Sequence, residues 1–284
     1  MKIITPNYYQ HFQCIADRCN HNCCIGWEID IDEDTLKYYR GIEGELGARL
    51  KEKISTKETP HFILDSKERC PFLNSCNLCD IITELGEEGL CQICDDHPRF
   101  YNEWPQHTEL GLGLCCEAAA ALILDQKEKA TLCFEPYNSF FTLREKVFNA
   151  LQNRSASMEQ RLVEMLDLCG SNHVPSPKEW VPFFKELERL DPQWDEKLEK
   201  TSNTFPVGWD QPLEQLAVYF TFRHLKPEQL AKRAAFIVLS VKMIASVFFA
   251  EEHSLENLIE IARLYSAEIE YSDENIQKIL EHIT

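Results

Sequence analysis

Twelve of the thirteen cysteines lie between Cys14 and Cys133, at Cys14, Cys19, Cys23, Cys24, Cys70, Cys76, Cys79, Cys91, Cys94, Cys115, Cys116 and Cys133. Their spacings are tight: Cys19-x3-Cys23-Cys24, Cys76-x2-Cys79, Cys91-x2-Cys94-x2-His97 and the pair Cys115-Cys116. Two sulfur ligands a few residues apart come from one turn, and the rest arrive from turns far along the chain; this is how a thiolate metal site is written in sequence. One structural zinc takes four ligands, so twelve cysteines imply two zincs, or an iron–sulfur cluster with spare thiols. Adjacent Cys23 and Cys24 favour the cluster, because neighbours rarely both reach one small tetrahedral ion whereas a cluster offers separate irons. The order CxxxCC is not the CxxxCxxC of radical enzymes that cleave S-adenosylmethionine, so spacing implies no radical chemistry.

Plainer readings stand beside these. Cys76, Cys133 and Cys169 read as buried small hydrophobes. His97 sits where it can ligate, hydrogen-bond a cluster sulfur or cap a turn. Trp27 reads as core, or as a ring facing a cationic ligand. The acidic run from Glu28 to Asp34 reads as a solvated face. Disulfides are disfavoured by the odd count and by a start, MKIITPNYYQ, that lacks an apolar leader; the expected compartment is the reducing cytoplasm.

The elements that must hold these residues follow from pattern. At 284 residues the chain can bury a core without disulfides. Its charge of −18 excludes a general nucleic-acid binder and argues against an anionic membrane; a basic polypeptide or a small cation fits better. Alternation at Ile29 and Ile31 predicts a short strand, with a helix from Thr35 to about Arg49 capped by Asp32 or Asp34. His61 to Asp65 predicts a second strand, paired with the first. Asp80 to Leu85 predicts one or two helical turns closed by Gly86, and Pro98 forces His97 out of any helix. From Glu117 to about Lys129 the alanines and leucines predict a helix. Further helices are expected over 142–151, 157–169, 176–190, 212–224, 227–251, 254–266 and 272–282, with a linker over 191–212. The apolar run from Ala234 to Ala250 contains Lys242 and is too short to span a bilayer, so it reads as a buried core helix. The expected fold is mainly α: a cysteine-rich, loop-heavy N-terminal part with short strands (1–135), then an α-helical part (136–284).

Taken together, several motifs resemble the flagellin lysine-N-methylase family, which is related to small cysteine-cluster proteins that chelate zinc or iron. They are Phe12-x-Cys14, Cys19-x3-Cys23-Cys24-x-Gly26-Trp27-x-Ile29-x-Ile31-Asp32, Cys70-Pro71-Phe72-Leu73, Leu78-Cys79-x-Ile81, Leu85-Gly86-Glu87-x2-Leu90-Cys91-x2-Cys94-x2-His97-Pro98-Arg99 and Cys115-x-Glu117-Ala118-Ala119. The resemblance covers residues 8 to 125. Cys115-Cys116-Glu117 stands where the family often has Cys-Pro-Glu, and Cys76 is an extra thiol. The resemblance implies methyl transfer from S-adenosylmethionine to flagellin lysines, with a [4Fe–4S] cluster, or zinc as the alternative, held among Cys19, Cys23, Cys24, Cys70, Cys79, Cys91, Cys94 and Cys115. It also implies a base to deprotonate lysine, for which Glu117, His97 and Tyr101 stand as candidates. Arg99 is the candidate for the cofactor carboxylate, with Trp27 beside the cofactor. No G-x-G-x-x-G occurs, so the donor pocket is built without the usual nucleotide-binding turn. A non-catalytic zinc- or iron-binding protein remains the alternative.

Overall fold

The computed structural model describes residues 2–132, 136–171 and 176–283 and is mainly α, as expected. Cys133 lies outside the described residues. Two compact units emerge: Met1–Phe12 with Phe100–Thr284, and Gln13–Arg99. The sequence had suggested one boundary near residue 135. Here the strands and helix on either side of Cys115 go with the helices.

Within Gln13–Arg99, Asp32 caps α1 (Glu33–Gly41), its carboxylate accepting from the Thr35 amide. The expected single helix is broken in two, because Ile42 is extended and Gly44 takes a φ of +79° before α2 (Gly44–Lys53) begins. Strand β2 (Ile54–Ser55) pairs antiparallel with β3 (His61–Phe62), a pairing absent from the sequence reading. The expected contact of 29–31 with this segment also forms: Ile31 N–H donates to Pro60 O and Phe62 N–H to Ile29 O. Helix α3 (Asp80–Leu85) ends at Gly86, φ +83°, and α4 (Gln92–Asp96) ends at His97. Phe62, Phe72, Tyr39, Ile29 and Ile81 make the core of this unit. Burying side chains of this size contributes about 1.5–3 kcal/mol each.

In the larger unit, β1 (Lys2–Ile4) runs parallel to β5 (His107–Leu112), and β4 (Arg99–Glu103) lies on the other side of β5. Strand β5 carries a fully buried carboxylate, Glu109. Arg144 of α6 (Ser139–Leu151) grips it through both Nη atoms, with Nη2 at 3.0 Å, and the Trp104 indole donates to it at 3.0 Å. Arg144 Nη2 also donates to Phe222 O at 2.7 Å. Helix α5 (Glu117–Leu124) follows, shorter than expected. Then come α7 (Met158–Leu168), α8 (Pro177–Phe184), α9 (Gln193–Glu199), α10 (Asp210–His224), α11 (Leu230–Phe249), α12 (Leu255–Tyr265) and α13 (Asp273–His282). Helix α9 occupies the expected linker. Helix α11 is buried along nearly its whole length, and no described helix is long and apolar enough to cross a membrane. Between α12 and α13 the chain widens into a π-helical turn, Ser266–Glu270.

Candidate functional site

Six thiols come together in the smaller unit. Cys23 and Cys24 lie in a turn that the backbone ties to the Cys70 loop: Cys70 N–H donates to Cys24 O at 2.8 Å and Gly26 N–H to Glu68 O at 3.0 Å. Gly26 has a φ of +92°, which only glycine adopts readily, so this return of the chain depends on it. Asp80 N–H then donates to Phe72 O, and a bridge between Leu73 and Cys79 brings Cys79 back to the same loop. Arg49 fastens it from outside, donating to Asp80 and to Pro71 O. Cys91 precedes α4 and Cys94 lies in it, with Cys94 N–H donating to Cys91 O at 2.9 Å. Two long-range bonds fix that turn: Gln92 N–H to Asp32 Oδ2 and Tyr39 Oη–H to Gly89 O.

The sulfurs feel one another. Cys24 donates to Cys23, which pulls the Cys23 thiol down to about 7 and pushes Cys24 up; burial adds to the rise, with Cys70 and Cys79 nearby. Cys94 stands to Cys91 in the same relation, so Cys91 is lowered and Cys94 raised, with Cys24 and Cys70 contributing. Burial lifts Cys70 to about 11 and also lifts Cys79, against the pull of nearby backbone amides. Every described cysteine is a free thiol. In donor chemistry this set suits a soft ion or an iron–sulfur cluster, since binding replaces shared protons with metal charge. In geometry it is not a finished cage: among the described residues no three His, Cys, Asp or Glu side chains stand arranged to hold a metal ion.

Cys19 donates its thiol to His21 O, and Cys14 is exposed. Cys76 is exposed rather than buried, a correction traceable to its place in the open turn after Asn74; Cys169 is buried as expected. Cys115 belongs to the larger unit, where burial raises it to about 12 against the opposing influence of Tyr271 and Arg223.

Trp27 and His97 stand beside the thiols. The Trp27 indole donates to Cys23 O at 2.6 Å, and its ring centroid is 6.4 Å from that of His97. Burial and the Arg99 charge push His97 down to about 4, so the imidazole is neutral at physiological pH. Arg99 donates through Nη1 to Asp95 O. Tyr101 is 48% exposed on β4, and Glu117 opens α5 after Cys116; both belong to the larger unit.

Residues 164–284 match the FliB lysine N-methylase C-terminal domain. The chain is similar to the lysine-N-methylases of Salmonella choleraesuis strain SC-B67, 28% identical, and Salmonella typhimurium strain LT2, 27% identical. Each match covers 67% of this chain and 50% of the relative. These matches make the chain similar to lysine N-methylases over most of its length. It spans about half the length of those two relatives. The flagellar biosynthetic protein FliU of Salmonella muenchen is 26% identical over 46% of this chain and 84% of its own length. No solved structure matches.

The region matching the family domain holds a polar cluster that sequence reading missed. Glu270, wholly buried, accepts from Tyr219 at 3.0 and 3.1 Å and from His224 Nε2, with Arg223 Nη1 at 3.5 Å. It ends the π-helical turn, a distortion that often marks functional sites. The available signal was Tyr219 and Arg223, one helical turn apart, with His224 beside them.

Proposed function

We propose that this chain transfers methyl groups from S-adenosylmethionine to lysine side chains of flagellin, acting in the cytoplasm, with the converging thiols holding an iron–sulfur cluster, [4Fe–4S]. The observation that carries the reading is its similarity to lysine-N-methylases over 67% of its length. The FliU relative, named for flagellar biosynthesis, supports a flagellar substrate. Cys23, Cys24, Cys70, Cys79, Cys91 and Cys94 are the proposed donors, with Cys19 nearest to them in sequence. Cys115 lies in the other unit and is left outside this set.

The cluster, if bound, would supply an iron with an open position for a ligand such as the donor's amino group. The chain's own residues have the remaining work. Free lysine has a pKa of about 10.4, so the ammonium must lose a proton before attack. The amine then forms a new N–C bond as the S–CH3 bond breaks. S-adenosylhomocysteine leaves, and the ammonium proton passes to a protein base. His97, Tyr101 and Glu117 are the candidate bases; burial and the Arg99 charge push His97 down to about 4, which weakens it as the acceptor. The net charge of −18 favours approach of a sulfonium and of a lysine-bearing partner.

The test is anaerobic purification with iron, sulfide and zinc quantified together, followed by incubation with flagellin and methyl donor. Methyl-lysine found by mass spectrometry supports the reading. A colourless zinc-only protein, or no methyl-lysine from the fully loaded protein with its matched flagellin, sinks it.

A further inference from the structure

Arg223 of α10 is held among aromatic rings. Phe100 lies 4.8 Å from its guanidinium carbon on one side and Tyr271 5.4 Å on another. Its Nη1 donates to Tyr219 Oη at 2.7 Å and stands 3.5 Å from Glu270. Its Nε and Nη2 hydrogen-bond to no described residue, and neither is a sealed, unpartnered atom. So this edge makes no hydrogen bond to a described residue and is not wholly sealed, in a side chain that is otherwise largely buried and fixed. A plain counter-ion would look different. Arg144 shows how: it turns both Nη atoms onto Glu109 and lies fully buried. Arg223 gives Glu270 one distant nitrogen, and Glu270 has neutral donors in Tyr219 and His224. The packing immobilises the guanidinium and leaves free the edge whose two parallel N–H groups match a carboxylate.

We propose that the Nε–Nη2 edge of Arg223 binds the carboxylate of the methyl donor, with Glu270, Tyr219 and the two aromatic rings holding the guanidinium in place. This rests on the methyltransferase reading and gives the carboxylate an anchor in the larger unit. Arg99, the candidate from sequence, has its Nη1 committed to Asp95 O.

The test is calorimetry on the anaerobically purified protein with S-adenosylhomocysteine and with its decarboxylated analogue. Arg223→Lys keeps the charge beside Glu270 but loses the fork. The variant is expected to bind S-adenosylhomocysteine about 10- to 100-fold more weakly than wild type. It should bind the decarboxylated analogue as wild type does. Equal binding of S-adenosylhomocysteine by both proteins overturns the assignment. Failure of wild type to bind either compound overturns the methyl-donor reading itself. A second measurement needs no variant. Arginine-selective dicarbonyl labelling of wild type, mapped by peptide mass spectrometry, should show Arg223 protected by S-adenosylhomocysteine and not by the analogue; labelling indifferent to both again overturns the assignment.

Discussion

Replacing Arg144 with methionine tests whether the β4–β5 pair is held by its buried charge. Glu109 has no solvent exposure, and its partners are Arg144, Trp104 Nε1 at 3.0 Å and His107 Nε2 at 3.6 Å. Removing one member of such a pair costs about 3–5 kcal/mol, because the other is left charged and buried. Arg144 Nε is buried without a hydrogen bond, and His107 Nε2 at 3.6 Å from Glu109 is too far to make one, so the pair is imperfectly satisfied. That places the expectation at the lower end, about 3 kcal/mol. Methionine also replaces a guanidinium lying 5.4 to 5.8 Å from the rings of Trp104, Phe141, Phe148 and Phe222, so apolar contact is largely kept. For a unit of this size the melting temperature should fall by roughly 6–12 °C, followed by far-UV circular dichroism under reducing conditions. The charge-free double variant Glu109→Gln, Arg144→Met should recover at least about 1.5 kcal/mol relative to the sum of the single changes. An Arg144→Met loss under about 1 kcal/mol, or a double variant as unstable as that sum, would refute the reasoning.

Cys24→Ser and Cys70→Ser are expected to lose most of the bound iron, whereas the exposed Cys14→Ser and Cys76→Ser retain it; metal analysis of the four proteins decides this. Gly111→Ala would place a methyl 2.3 Å from the Phe100 ring, so it should destabilise by about 1–3 kcal/mol in urea unfolding and disturb the ring against which Arg223 lies. Glu251 is partly buried, which raises its carboxyl, but Lys197 at 2.6 Å and Lys200 at 2.9 Å outweigh this and hold it below the usual range. A lowered folded-state value means its stabilisation is present above the unfolded pKa and lost as pH falls through the folded one. Glu251→Gln should therefore flatten the acid limb of the stability–pH curve; an unchanged slope contradicts this.

The helices were legible where local chemistry writes them. Asp32 caps α1, Ser157 forms a capping box on α7 with Gln160, and Pro177, pre-set for the first helical position, begins α8. Strands β4 and β5 were not legible. Residues 107–112 contain a glutamate and a glycine, and Glu109 can be buried only because Arg144, 35 residues on, neutralises it. Helix α9 hid in a proline-marked segment because it starts just after Pro192. The convergence of six thiols could be guessed from spacing, since most pairs sit in single turns. That Cys115 would belong to a different unit could not, because nothing in its spacing records which core surrounds it. The Glu270 cluster escaped for a related reason. Its members come from α10 and from a turn some fifty residues later, at no repeating interval.

Strand β1 takes its place beside β5, and the whole of Gln13–Arg99 is synthesised between them. At ribosomal rates of about 5–20 residues per second, Lys2–Ile4 waits roughly 5–20 s for its partner to emerge. The segment bearing the six thiols is complete during that wait. Nascent chains halted before residue 107 should thus expose the N-terminal strand to proteases while protecting the interval after it.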